Sequence, residues 1–284
     1  MIPFNQPEAD LFIPDQSDPA SAIPRTTHLG IGAHQDDLEF MAFHGIVACY
    51  HAPDQWFGGI TCTNGSGSAR RGKYAHYTDA DMMAIRRMEQ REAAMVGHYS
   101  FMAQLDYPSC TVKDPANTTL RDDLIGLIGT AQPEVVYTHN PADKHDTHVA
   151  VVIPVIQAIR ALPRDQRPAR VLGCEVWRGL DWMMDADKVA LDVSAHENLA
   201  MAVGGIFDSQ ISGGKRYDLA TLGRRRANAT FYDSHTTDDA EQIWFAMDLT
   251  PLIEDDEKDM VTYVLEYIRR FSDDVRSKLT QRIG

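Results

Sequence analysis

From Thr27 onward, short apolar runs alternate with longer stretches of helical spacing, and few folds accept that alternation. "THLGIGA", "WFGGITCT", "EVVYTH", "ARVLGCEVW", "KVALDV" and "AEQIWFAMDL" read as strands, with a shorter one at Phe101 to Leu105. Between them, "DDLEFMAFHGIVACYHA", "DADMMAIRRMEQREAAMVG", "TLRDDLIGLIGTA", "DTHVAVVIPVIQAIRAL" and "SAHENLAMAVGGIF" read as helices. Asp79 is the expected N-cap of the second helix and Gly97 its stop, and Pro154 is expected to kink the fourth. Strands that take turns with helices pair in parallel and bury both faces of their sheet. The expectation is therefore an α/β fold, a Rossmann-like three-layer αβα domain with a mostly parallel central sheet.

A chain of 284 residues suits one large domain of this kind or two small ones. The proline-rich residues 1–25 show no period and read as an extended arm, leaving residues 26–284 as a single catalytic domain. The tail "EKDMVTYVLEYIRRFSDDVRSKLT" has helical apolar spacing and reads as a packing helix. The net charge of −14 argues against nonspecific nucleic-acid or anionic-membrane binding. Cys49, Cys62, Cys110 and Cys174 form no CxxC pair, so they read as reduced thiols and not as a zinc finger. The N-terminus lacks the basic and apolar regions of a signal peptide, and no run reaches membrane-span length, so a cytoplasmic protein is expected.

In open α/β sheets, ligands bind beyond the carboxyl ends of the strands. Two polar clusters stand at such ends, "GAHQDDLEF" after "THLGI" and "THNPADKHDTH" in the segment that begins at the end of "EVVYTH". Asp37 follows His34 by three residues, close enough to converge on one point across a strand-to-helix turn. Imidazole with carboxylate suits zinc, with ferrous iron (Fe2+) the alternative. The third ligand is left to His139, His145 or His148. Asp36, between the first two, is free to point elsewhere and act as a general base. The helix N-terminus favours its ionised form, and Glu39 complements the same dipole. Alone, "QDDLE" reads more readily as an acidic helix start. The second cluster, beyond another strand, favours the metal reading.

The ordered motifs resemble the PIG-L/LmbE-like metal-dependent deacetylases, which act on N-acetylglucosaminyl compounds. The family's AHPDDE is "AHQDDLE" here, with Gln35 in place of proline, and its HxDH is matched by "DKHDTH". "TCTNGSG" resembles its TxTxGxxG loop, "IRRMEQREAAMVG" its RxxExxxAAxxLG helix, and "LDVS" with "FDSQ" its later segments, so the likeness spans Thr27 to Tyr232. The resemblance implies His34, Asp37 and His148 as zinc ligands, Asp36 as the base acting on the metal-bound water, and His145 as the group near the tetrahedral intermediate. It implies Arg86 as a substrate contact, and Asn64 and Arg70 in the Gly/Ser loop are grouped with it at the rim of the pocket. Two departures stand out. Thr147 replaces the aspartate that orients the catalytic histidine, leaving Asp143 or Asp146 to support His145, and Ser109 and Cys110 replace an Asp-Gly pair.

The implied function is removal of an N-acyl (acetyl) group from an amino sugar or related small amide. The partner is then a small molecule, with no nucleic acid and no membrane, and homo-oligomerisation is left open. Competing readings are metal-dependent hydration of an unsaturated dicarboxylic acid and a binding protein with a relic site. "SGGKRYD" reads as a hinge or lid. "GRRRAN" reads chiefly as a solvated helix face, and less readily as a site for an anionic group.

Overall fold

The computed structural model describes residues 3–284. Its elements run β1 (Asp10–Phe12), α1 (Pro19–Ala22), β2 (His28–Gly32), α2 (Asp37–Met41), α3 (Phe43–Cys49), β3 (Phe57–Thr63), α4 (Asp79–Val96), β4 (Phe101–Tyr107), α5 (Ser109–Val112) and α6 (Thr119–Ala131). They continue with β5 (Val135–His139), α7 (Asp146–Ala161), β6 (Arg170–Cys174), β7 (Val189–Asp192), α8 (Glu197–Gly205), α9 (Asp208–Ile211), α10 (Tyr217–Phe231), β8 (Ile243–Asp248), α11 (Pro251–Glu254) and α12 (Met260–Ile283). One eight-stranded sheet holds the strands in the order β1-β4-β3-β2-β5-β6-β8-β7. The inner five, β4 to β6 in that order, are parallel. β1 joins β4, β8 joins β6 and β7 joins β8 in antiparallel pairs. Helices cover both faces, as the alternation predicted.

β3 and β4 lie on one side of β2, and β5 and β6 on the other. The winding therefore reverses between β2 and β5, which opens a crevice above their carboxyl ends. Alternate residues of β2 serve different faces. Leu29 and Ile31 join the larger core with residues of α6 and α7, whereas α2 and α3 pack with a second cluster around Phe57 and Tyr137. Gly30 and Gly32 face α2. A Cβ on Gly30 would meet Phe57 Cζ at 2.7 Å and Leu38 Cδ2 at 3.0 Å, and one on Gly32 would meet Asp37 Cβ at 3.0 Å. Two bare positions thus let α2 sit directly on the strand and hold its first residues over the crevice.

Local details depart from expectation. The helix expected from Asp36 onward is two helices, broken at Ala42, whose φ of −106° is not helical. The cap of α4 is Thr78, not Asp79. Its side chain accepts from Asp81 N–H while the Asp81 carboxylate accepts from Thr78 N–H, so two free amides are satisfied at once. α7 runs on through Pro154. Within the N-terminal segment, residues 10–12 are ordered as the edge strand β1, where Arg91 Nε donates to Asp10 at 2.7 Å. The tail helix buries only Tyr263 and Val264 and leaves Leu265, Ile268, Val275 and Leu279 exposed, so it packs through its first turns alone. Among the described residues, no helix is long and apolar enough to cross a membrane.

Candidate metal and catalytic site

The two polar clusters meet over the β2–β5 crevice. His34 N–H donates to Asp37 Oδ2 at 2.7 Å, which folds the turn back and sets the Asp37 carboxylate beside the His34 ring. His148, in the first turn of α7, completes the group. His34 Nδ1 lies 3.3 Å from Asp37 Oδ2, His148 Nε2 lies 3.3 Å from His34 Nδ1, and His148 Nε2 lies 3.4 Å from Asp37 Oδ1. A tetrahedral zinc centre with bonds of about 2.0–2.1 Å has edges of roughly 3.3–3.4 Å. The donor set therefore has the chemistry for a small divalent cation, and it approaches this spacing with Asp37 presenting a different carboxylate oxygen to each histidine.

Protonation divides the group: His34 and Asp37 are held in their metal-binding forms, whereas, against burial, Asp37 and Asp143 raise the His148 imidazole above its ordinary value. Burial holds the His34 imidazole down to about 4, so its lone pair is available. Burial works to raise the Asp37 carboxyl, but the nearby His148 and His139 and the side-chain contacts of His139 and His34 outweigh it and keep Asp37 well below the usual range. His139 is excluded as a ligand through Nε2, because that atom accepts the Ala33 N–H at 2.8 Å. It stacks instead on His148, with ring centroids 3.8 Å apart. Asp143 lies 3.1 Å from His148 Nδ1, which fixes the tautomer that leaves Nε2 free.

Asp36 sits between two members of this group yet points elsewhere. Its φ of +102° is a left-handed conformation that an aspartate rarely adopts. Burial, reinforced by Asp37, Glu39 and Glu89 and opposed by Arg86, raises its carboxyl well above the usual range, so the helix N-terminus does not hold it ionised as expected, and a bound cation would have to offset the burial. Arg86 Nη2 is 3.8 Å away and donates to the Gln35 carbonyl at 2.6 Å. The Gln35 side chain is buried and donates to Thr63 O at 3.1 Å and Gln104 Oε1 at 3.3 Å, tying the turn to β3 and β4. Gly65, at φ +73°, leaves room for that side chain, since a Cβ there would stand 2.6 Å from Gln35 Oε1.

A cavity of 370 Å³ opens above the group and is lined by His34, Asp36, Asp37, Arg86, His145 and His148 among others. Three sequence candidates are corrected. Asn64 accepts Ser66 N–H and does not line the cavity. Arg70 donates to Ser66 O and Tyr77 O and pairs with Asp79, so it staples the loop from outside. The neighbouring Gly65, Gly67, Ser68 and Ala69 form the rim. Asp146 is exposed and approaches only Lys113, at 3.8 Å, so it does not support His145. Asp143 supports the His148 ring and reaches His145 only through its backbone N–H. The His145 Nδ1 atom is buried without a partner, and the ring stacks on Trp177 at 6.0 Å. Trp177, Tyr217, Lys113 and Gln210 line the cavity and were not sequence candidates. Of these, Gln210 lies within "FDSQ" and Tyr217 within "SGGKRYD", the segment expected to be a hinge or lid.

Residues 29–159 match the family model "PIG-L: GlcNAc-PI de-N-acetylase". No curated protein sequence matches the chain. Solved structures share the fold. The conserved protein TT1542 from Thermus thermophilus is 17% identical and superposes with a TM-score of 0.62 over 82% of this chain and 99% of its own. N,N'-diacetylchitobiose deacetylase from Pyrococcus horikoshii is 15% identical, with a TM-score of 0.62 over 81% and 86%. GalB, the 4-carboxy-2-hydroxymuconate hydratase from Pseudomonas putida KT2440, is 15% identical, with a TM-score of 0.56 over 79% and 96%.

Proposed function

We propose that this chain is a metal-dependent amidohydrolase that removes an N-acyl group, acetyl in the simplest case, from an amino sugar or related small amide. Residues 26–284 act as one catalytic domain, with residues 1–25 as an arm along its edge. The observation that carries this reading is the convergence of one donor atom each from His34, Asp37 and His148 to within 4.8 Å of one another, beneath a cavity that Asp36 also lines. The matched family and the chitobiose deacetylase of the same fold support it.

His34, Asp37 and His148 would hold zinc, with ferrous iron the alternative. When bound, the cation supplies a Lewis acid that polarises a carbonyl and acidifies a water. Asp36 takes the proton of the attacking water, and its fixed backbone keeps the carboxylate turned into the cavity. Arg86 counters the charge that Asp36 carries when ionised. His145, beside the ligand histidines at ring distances of 5.0 and 4.7 Å, hydrogen-bonds the tetrahedral centre and passes a proton to the leaving amine.

The test is acetate release from N-acetylglucosamine and short N-acylated sugars, before and after chelation and zinc return. Asp36→Asn should lower turnover about 10²- to 10⁴-fold while metal content stays unchanged. Near-normal turnover in that variant removes Asp36 as the base. The hydratase reading draws on GalB and on Lys113 and Arg86 in the cavity wall. Hydration of unsaturated dicarboxylates without acetate release would favour it.

A further inference from the structure

A second cavity, of 210 Å³, adjoins the first and shares Phe40, Val176, Trp177 and Tyr217 with it. Its remaining wall is Lys215, Arg216, Ala220, Thr221 and Arg224. Three cations and no carboxylate line this shelf, in a chain whose net charge is −14. Arg216 is neutralised by Asp218, through bonds of 2.9 and 2.7 Å. The other two form no ion pair among the described residues. Arg224 Nη1 donates to Val176 O and Arg178 O, which leaves its other nitrogens free. The Lys215 ammonium stands 4.9 Å from the Trp177 ring centroid. That indole stacks on His145 and meets Tyr217 edge-on at 6.0 Å, so one aromatic wall runs from the reacting centre to the unpaired cations.

We infer that the shelf is an oxyanion subsite. The substrate carries a carboxylate or a phosphate, joined to the scissile amide by a ring-sized spacer that lies against Trp177 and Tyr217. The sequence run "GRRRAN" divides accordingly. Arg224 faces the shelf, Arg225 is buried and donates to Glu39 O and Phe40 O, and Arg226 turns outward to Glu197. Lys215 is the main contact, because it is exposed and forms no ion pair, and the half-buried Arg224 supplies the second charge. The inference rests on the reading that the first cavity receives the amide.

Binding and turnover should be measured separately. Calorimetry would compare N-acetylglucosamine with its 6-phosphate and with the corresponding uronic acid, on the intact metal-loaded protein. At least one anionic sugar should bind about tenfold tighter than the neutral one, with an advantage that shrinks as salt rises. The phosphate and uronate arms identify which oxyanion is preferred. Lys215→Glu should abolish the preference, and Arg226→Ala, on the same helix as Arg224 but paired to Glu197, should keep it. Equal binding of neutral and anionic sugars, or a preference that survives Lys215→Glu, overturns the subsite. Anion-selective binding without acetate release keeps the subsite and sinks the deacetylase reading. Acetate release with no charge preference does the reverse.

Discussion

At position 35 a glutamine replaces the proline of the resembling motif, and the structure gives it work that proline cannot do. Its side-chain amide nitrogen satisfies Thr63 O and Gln104 Oε1 inside the protein, whereas the contact with Arg86 is made by the backbone carbonyl, which a proline would also offer. Gln35→Leu keeps the volume but strips the partner of Thr63 O, so unfolding by urea should show a loss of about 1–3 kcal/mol. A change below about 0.5 kcal/mol would mean that the tie is idle. A second buried residue gives a pH signature. Burial pushes Glu175 up from 4.5 to about 7, against hydrogen bonds from Trp182 and the Leu180 N–H. Its folded value is raised, so the protonated form favours the fold. The contribution is full below 4.5 and is lost as pH rises through about 7. The stability of the wild type minus that of Glu175→Gln should therefore fall across that window. A flat difference would show that Glu175 does not titrate in the fold.

Among the elements, those with a buried periodic face were legible in the sequence, because burial imposes the period. Strands β2, β3, β5 and β8 and helices α4, α6 and α7 belong to this group. The break between α2 and α3 was not legible, since Ala42 carries no turn signal and the segment stays apolar across it. The tail helix shows the opposite failure. Its spacing predicted packing, yet a period reports which side of a helix is apolar and not whether anything covers it. Val264 is 8% exposed and Leu279 is 56% exposed. Val264→Asp should cost about 2–4 kcal/mol by burying a carboxylate, and Leu279→Asp should stay within about 0.5 kcal/mol. Chemical denaturation of the two variants checks the contrast. Equal losses would mean that the distal turns are covered in solution.

At the scale of the whole molecule, the site is an assembly of distant segments that only the fold brings together. His34 and Asp37 follow β2, and His148 opens α7 more than a hundred residues later, so the motifs could nominate these three donors but not show them converging. The wall of the cavity was less legible still. Trp177 comes from a loop with no motif of its own and Tyr217 from the segment "SGGKRYD", whose glycines signal a hinge and not a pocket wall, while the contacts that turn Arg70 onto its own loop are set by the fold. A site built by folding binds its cation only in the folded state, so cation binding and stability are linked. Zinc at 100 times its dissociation constant should raise the unfolding free energy by about 2.7 kcal/mol, and a chelator should remove that gain. His148→Ala deletes one of three donors and should abolish most of the zinc-dependent shift. Asp36→Asn leaves all three donors and should retain it. Thermal unfolding of the three proteins with and without zinc separates a cation site from a catalytic carboxylate. A shift that survives in His148→Ala would place the cation elsewhere, and one lost in Asp36→Asn would make Asp36 a ligand and not the base.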